Sequence, residues 1–379
     1  MEGPRPMSAT PSLLATETED DLRAAVRSLL TTHSAADRVL ARAESGAPYD
    51  RELWKTLTGS MGLAGLLVPE AYGGQGAGHR EAAVVVEELG RAVAPVPYLT
   101  GAVVTPATLL ALPERTAEVS ALLAEVAAGS AVAVLAVPLT TAPGDPLPEV
   151  TTDGGGLHGT VRSVADAAGA DVLLVAADSG LYAVPAGAPG VTVTPLTALD
   201  LTRPLAAVQL DGARGTLLAP AADAAPAVRA GLLSGAGLLA SEQLGLAEWC
   251  LTETVRHLKD RHQFNRPLGS FQALKHRLAQ LWLDVAGIRP AATAAADLLA
   301  TGEGGPAEAQ LAVAVAQVYA SPVAVRAAEE ALQLHGGIGM TWEHPVHLYL
   351  KRAKGDSVAF GGAGRHGQEV ARLAELPAP

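Results

Sequence analysis

Residues 362 to 367, Gly-Ala-Gly-Arg-His-Gly, read formally as G-x-G-x-x-G, the loop that wraps a dinucleotide pyrophosphate onto a helix N-terminus. That chemistry needs a strand before the loop, a helix after it, and an acidic residue about 20 positions on to hold the ribose. The sequence runs only to Pro379, which leaves no room for a βαβ unit. The segment is therefore expected to be a glycine-rich turn between helices. His344 and His347, beside Glu343, form an H-x-x-H that suits a metal, but no further ligand cluster is visible in the sequence, and no metal is expected. Cys250 is the only cysteine, so no internal disulfide exists, and its place in a helical pattern marks it as a small buried hydrophobe rather than a nucleophile.

The elements that must position such groups fall into three textures. From residue 20 to about 128, segments such as "DDLRAAVRSLLTTH" and "REAAVVVEELGRAV" carry apolar residues at i, i+3, i+4 and i+7, the helical repeat. Between them "GLAGLLVPEAYGGQGAG" is an apolar run ended by Pro69 and a glycine turn. After Gly129 come short Val-rich runs ("AVAVLAVPL", "ADVLLVAA", "GVTVTPL") punctuated by Gly, Asp and Pro, as in an all-β domain. Helical periodicity returns after about Pro220 and persists. The expected organisation is α+β: an N-terminal helical domain (1–128), a middle β domain (129–220) and a C-terminal helical domain (221–379), two helical layers flanking a small β unit.

Bulk properties exclude some functions. A formal charge of −12 argues against nucleic acid or an anionic membrane as partner, since both reward clustered Lys and Arg. The N-terminal "MEGPRPMSATPSLLATETEDD" has no apolar core of signal-peptide length, so it is read as a frayed tail on a cytoplasmic protein. The apolar run Ala230 to Ser241 is too short to span a bilayer.

Three segments, "MGLAGLLVPEAYGGQGAG" (61–78), "DRHQFNRPLGSFQALKHRLA" (260–279) and "LQLHGGIGMTWEHPVHLYLKRAK" (332–354), together resemble the acyl-CoA dehydrogenase family in order and separation. The resemblance implies that family's fold, with a middle β-barrel-like domain and a C-terminal four-helix bundle. It also implies FAD, lying between the middle domain and the C-terminal helices with its ADP half reaching a neighbouring subunit. Members remove the α-proton of an acyl-CoA thioester with a Glu carboxylate while the β-hydride passes to flavin N5. By this resemblance Arg261 is the pyrophosphate-binding arginine, and its guanidinium fork suits phosphate oxygens. Phe264 and Gln272 take the positions that meet the adenosine half, and Gln333, Gly336 and Gly337 match the Q-x-x-G-G turn that brings backbone close to the cofactor. Asn265 stands where the family has Gly.

The flavin-ring end departs from the pattern. Ser163 falls where a Trp packs on the isoalloxazine, and Ala165 where a Thr bonds near N5. The four tryptophans, Trp54, Trp249, Trp282 and Trp342, all lie outside the middle domain. The catalytic Glu position falls on Phe360, followed by Gly361, and the family's alternative base position falls about Gly235. Neither carries a carboxylate. Removing a positioned base costs on the order of 10² to 10⁴ in rate. Glu242, seven residues and two helical turns after Gly235, is a weak alternative base, and Asp356 and Glu369 are weaker ones.

The reading that follows is a base-lacking subunit of a heteromeric acyl-CoA dehydrogenase, paired with a Glu-bearing subunit in a heterotetramer. The assembly would desaturate an acyl-CoA, with a bulky acyl group such as a steroid side chain or polyketide-like chain as the guess. Two alternatives stand beside it: an autonomous homo-oligomeric enzyme using Glu242, and a flavin-free acyl-binding or structural protein on the same scaffold.

Overall fold

The structure, a computed structural model, describes residues 11–46 and 49–375. Residues 1–10 of the expected frayed tail lie outside the described residues. From Ser12 onward the segment is tied down: the Arg80 guanidinium donates to the carbonyls of Ser12 (2.6 Å) and Leu14 (2.7 Å). It also pairs with Glu19 (2.5 Å) and Asp297 (2.8 Å).

Among the described residues six α-helices lie in the first unit: α1 (Glu17–His33), α2 (Ala36–Glu44), α3 (Arg51–Lys55), α4 (His79–Arg91), α5 (Thr105–Leu110) and α6 (Ala117–Ala127). A capping box starts α1, the Thr16 hydroxyl accepting from the Glu19 amide while Glu19 accepts from the Thr16 amide.

Eight strands follow between Ala133 and Pro220: β1 (Ala133–Leu135), β2 (Thr151–Asp153), β3 (Gly156–Ala165), β4 (Val172–Ala177), β5 (Gly180–Pro185), β6 (Val191–Leu196), β7 (Leu205–Ala213) and β8 (Thr216–Pro220). They make two four-stranded sheets, ordered β1-β4-β5-β8 and β2-β3-β7-β6, antiparallel except for the β1–β4 pair. Val134, Leu173 and Val175 of one sheet and Val161, Val208 and Leu210 of the other share one core, so the sheets pack face to face. The barrel-like expectation thus resolves into two sheets bridged at Pro138 and Val164.

The last unit is built on three long helices, α7 (Ala221–Asp260), α8 (Gln272–Thr301) and α9 (Pro306–His335), all in mutual contact. The hairpin β9 (His262–Gln263) and β10 (Arg266–Pro267) joins α7 to α8. Two shorter helices, α10 (Val346–Asp356) and α11 (Ala363–Leu373), pack on α9 and complete the bundle. Among the described residues, one helical span, Pro306–Met340, which contains α9, is long and apolar enough to cross a membrane by length and composition, but half of its apolar window is buried in the protein.

Helix α4 lies along α7 at close range, because Gly90 and Gly245 face each other's backbones: a Cβ on either would overlap a carbonyl oxygen, of Glu242 or Glu87. This contact joins the first unit to the last and fixes the depth at which Glu242 sits.

Candidate functional site

Helix α10 ends at Asp356, and the following turn delivers Phe360 into the interior in the left-handed region (φ +50°), beside Gly361 at φ +90°. A bulky side chain in this region is strained, and its neighbours hold it there. The Phe360 amide donates to Leu139 O (2.8 Å), and its carbonyl faces His366 Nε2 at 3.1 Å. Its ring reaches α7 at Gly235, where an added Cβ would stand 3.0 Å from Cζ of Phe360 and 2.7 Å from Cγ2 of Val104. The positions that the resemblance gave for the catalytic Glu and for its alternative, Phe360 and Gly235, therefore meet in space as an aromatic ring on a glycine. What remains between Val104, Leu139, Ala165, Leu232 and Phe360 is a cavity of about 20 Å³, room for about one water.

On the facing sheet, a bulge in β3 between Val161 and Val164 turns Ser163 to φ +58°, its carbonyl accepting from the Leu139 amide (2.9 Å). Ala165 is buried in the wall of the small cavity. Neither residue carries a ring, and Ala165, the one of the two that lines the small cavity, carries no hydroxyl.

Glu242, the weak alternative base, is already committed. Both its oxygens accept from Arg203 Nη2 (2.7 and 2.6 Å), and Oε1 also accepts from Arg352 Nη1 (2.5 Å). Burial raises its affinity for a proton, but the two guanidiniums outweigh this and hold the carboxyl below its ordinary range. A carboxylate buried between two guanidiniums and held below its ordinary range is a poor acceptor for a carbon-bound proton, so the geometry speaks for a structural counter-ion at Glu242. Asp356 is as buried as Glu242 and pairs with Arg203. Arg352 reaches Asp200 (2.6 Å) and Thr202 O (2.8 Å). Burial, with Glu242 alongside, raises Asp356 to about 8. A proton on Asp356 reduces the excess of carboxylates over the two guanidiniums in this buried cluster, which Asp166 also faces. Glu369, the other weak candidate, pairs with Arg372 on α11. It stands instead at a groove of about 780 Å³, together with Arg229, Arg365 and His366.

The opposite end of the bundle is open. Arg261 caps α7 and is exposed. The hairpin turn places Phe264 (φ +52°) and Asn265 (φ +61°) both in the left-handed region, the geometry of a two-residue turn that prefers Asn or Gly. Asn265 thus keeps the conformation that a glycine would adopt there. Phe264 is 83% exposed and meets Phe271 edge to face (5.9 Å), and the Arg266 guanidinium lies 3.9 Å over Phe271. Gln272 begins α8 and is exposed; Gln333, Gly336 and Gly337 are exposed where α9 ends, and an added Cβ at either glycine would meet nothing within 4 Å. The rings of His257 and His335, 4.3 Å apart, bring the ends of α7 and α9 together, so these groups share one face.

Sequence spacing missed one grouping. His347 does not join His344: its ring stacks on Trp342 (4.3 Å). His344 instead comes within 4.8 Å of donor atoms of His335 and Glu253. The G-x-G-x-x-G segment opens α11 but follows a helix, and Gly364 and Gly367 lie inside α11. Cys250 is wholly buried, and burial pushes its thiol well above its ordinary value.

Models of the acyl-CoA dehydrogenase N-terminal and C-terminal domains match residues 16–113 and 225–374. The acyl-CoA dehydrogenase IpdE2 of Mycobacterium tuberculosis is 36% identical over 336 residues, 89% of this chain and 91% of that protein. A chain of the ChsE4–ChsE5 complex from Mycobacterium tuberculosis superposes with a TM-score of 0.85 at 30% identity, covering 97% of this chain and all of that one. The Tcur3481–Tcur3483 steroid ACAD, solved as a variant, gives a TM-score of 0.80 at 32% identity over 95% of this chain and 98% of that one.

Proposed function

From the premise that the chain belongs to the acyl-CoA dehydrogenase family, a family of FAD flavoproteins, we propose that it is the base-lacking subunit of a heteromeric acyl-CoA dehydrogenase. The observation that carries this is the Phe360 ring seated on Gly235, which fills the place where a carboxylate would meet substrate and leaves about 20 Å³. An isoalloxazine and a thioester do not fit there. The cofactor's two halves are therefore treated differently by this chain: the ring half has no space, and the nucleotide half faces exposed donors.

When bound, FAD supplies the acceptor for the hydride leaving the acyl β-carbon. This chain's share is binding. Arg261 would hold the pyrophosphate with its fork, Gln272 and Gln333 would donate to the adenosine half, and Phe264 would lie against it. Gly336 and Gly337 would let the backbone approach. The residue that takes the α-proton comes from the partner subunit. Exposed Trp282 and Leu283 on α8 give the apolar anchors such an assembly needs. The 32% identity to a steroid ACAD supports a bulky, steroid-like acyl group as the assembly's substrate.

The test uses the chain copurified with a Glu-bearing family member. Arg261→Ala should loosen FAD by ~10-fold or more, the scale of a lost charge-assisted hydrogen bond, with the assembly's mass unchanged. FAD content unaffected by that change would favour the flavin-free scaffold instead.

A further inference from the structure

Glu253 and His257 lie one turn apart on α7, His335 closes α9, and His344 precedes α10. Donor atoms of Glu253, His335 and His344 all fall within 4.8 Å of one another. The His335 ring stands 4.4 Å from that of His344 and 4.3 Å from that of His257.

His335 gives the independent sign of a ligand. It is 4% exposed, and its Nδ1 meets Ala331 O at 2.6 Å, which fixes the proton on Nδ1. Nε2 is then a bare lone pair, and among the described residues it has no hydrogen-bond partner. A buried, unsatisfied nitrogen is costly, and an imidazole oriented by a backbone carbonyl through its other nitrogen is the usual state of a metal-bound histidine. The His344 ring, 4.4 Å from that of His335, brings a second imidazole nitrogen into the same group. Its contact with the Val346 amide is long, 3.3 Å, and easily exchanged.

We propose that Glu253, His335 and His344 form a binding site for a divalent transition ion of the Zn²⁺ type, with His257 or water completing the tetrahedron. Two imidazoles and a carboxylate suit that ion class over Ca²⁺ or Mg²⁺, which take oxygen ligands. Bonds of about 2.0–2.1 Å require the donors to close to roughly 3.4 Å, a shift within reach of side-chain rotation. Glu253 is paired at present with Arg256, but Arg256 is largely exposed and the pair spans three residues of one helix, so releasing it costs little. A bound ion would clamp the end of α7 to the α9–α10 junction, the segments that carry Arg261 and the Gly336–Gly337 turn.

The full chain, stripped with a chelator and dialysed, should take up one equivalent of Zn²⁺, and Co²⁺ in its place should show the strong visible absorption of a tetrahedral site. His344→Gln and Glu253→Gln, which spare the buried His335, should each weaken uptake at least ~10-fold. His347→Gln, which removes the other histidine of the H-x-x-H, should leave it unchanged. Absence of stoichiometric uptake by the folded chain, or uptake indifferent to the first two substitutions, would overturn the site. Equal loss in all three variants would do so as well.

Discussion

The two ends of the C-terminal bundle handle their polar and aromatic groups in opposite ways. Around Phe360 the chain is closed: an aromatic ring lies on a glycine, and a set of paired charges, Arg203, Arg352, Glu242, Asp356 and Asp200, is buried nearby. At the β9–β10 hairpin the chain is open, with Arg261, Phe264, Gln272 and Gln333 all facing outward. Groups in the closed end serve the fold, because water cannot replace a lost partner there. Groups in the open end stabilise little by themselves and are free to serve a ligand. A residue's chemical type therefore does not tell its role here: Glu242 has the right chemistry for a base and is held as a structural counter-ion.

The largest expected contrast is in stability. Arg352→Ala strips a guanidinium from Glu242 and Asp200 at once and should lower unfolding free energy by ~3–5 kcal/mol in denaturant titrations. Arg261→Ala at the open end should change it by no more than ~0.5 kcal/mol. Similar losses at both sites would erase the distinction.

Next comes the Phe360 contact. Gly235→Ala places a methyl against Val104 and the Phe360 ring and should cost ~1–3 kcal/mol. Paired with Phe360→Leu, the two effects should fail to add, by ~0.5 kcal/mol or more, because one contact carries both.

A smaller effect is expected from pH. Asp356 has an ordinary carboxyl value in the unfolded chain and one raised to about 8 in the fold. Between these values the folded state holds the extra proton, so Asp356's contribution to stability falls as pH rises from ordinary carboxyl values through about 8. Asp356→Asn should flatten that slope in unfolding measured across the window. A slope that survives the substitution would assign it to another group.

The smallest effect belongs to the hairpin turn. Asn265→Gly should change stability by less than ~0.5 kcal/mol, since Asn already tolerates the left-handed backbone. A larger change would mean that the Asn265 side chain contributes more than its backbone conformation.

The fold was legible because its periodicities are long and separate. Forty residues of α7 keep helical spacing, and the Val-rich runs of β4 and β6 lie between Gly and Asp punctuation. Less legible were contacts between distant segments. Nothing in the residues around Glu242 signals Arg203 or Arg352, which lie 39 positions before and 110 after it. The grouping of Glu253, His335 and His344 has no local spacing to betray it, whereas His344 and His347 have a suggestive spacing but point to different neighbours. Asn265 departs from the family's Gly, and the paired positive φ angles of Phe264 and Asn265 explain why the departure is a mild one.

The most direct test of the central claim is anaerobic mixing of acyl-CoA, including a steroid-side-chain thioester, with the chain purified in the absence of any partner subunit. On the proposed reading, in which Phe360 occupies the cleft where ring and base would meet, no bound flavin whose visible absorption bleaches on mixing is expected. A yellow preparation that bleaches with substrate would contradict the account.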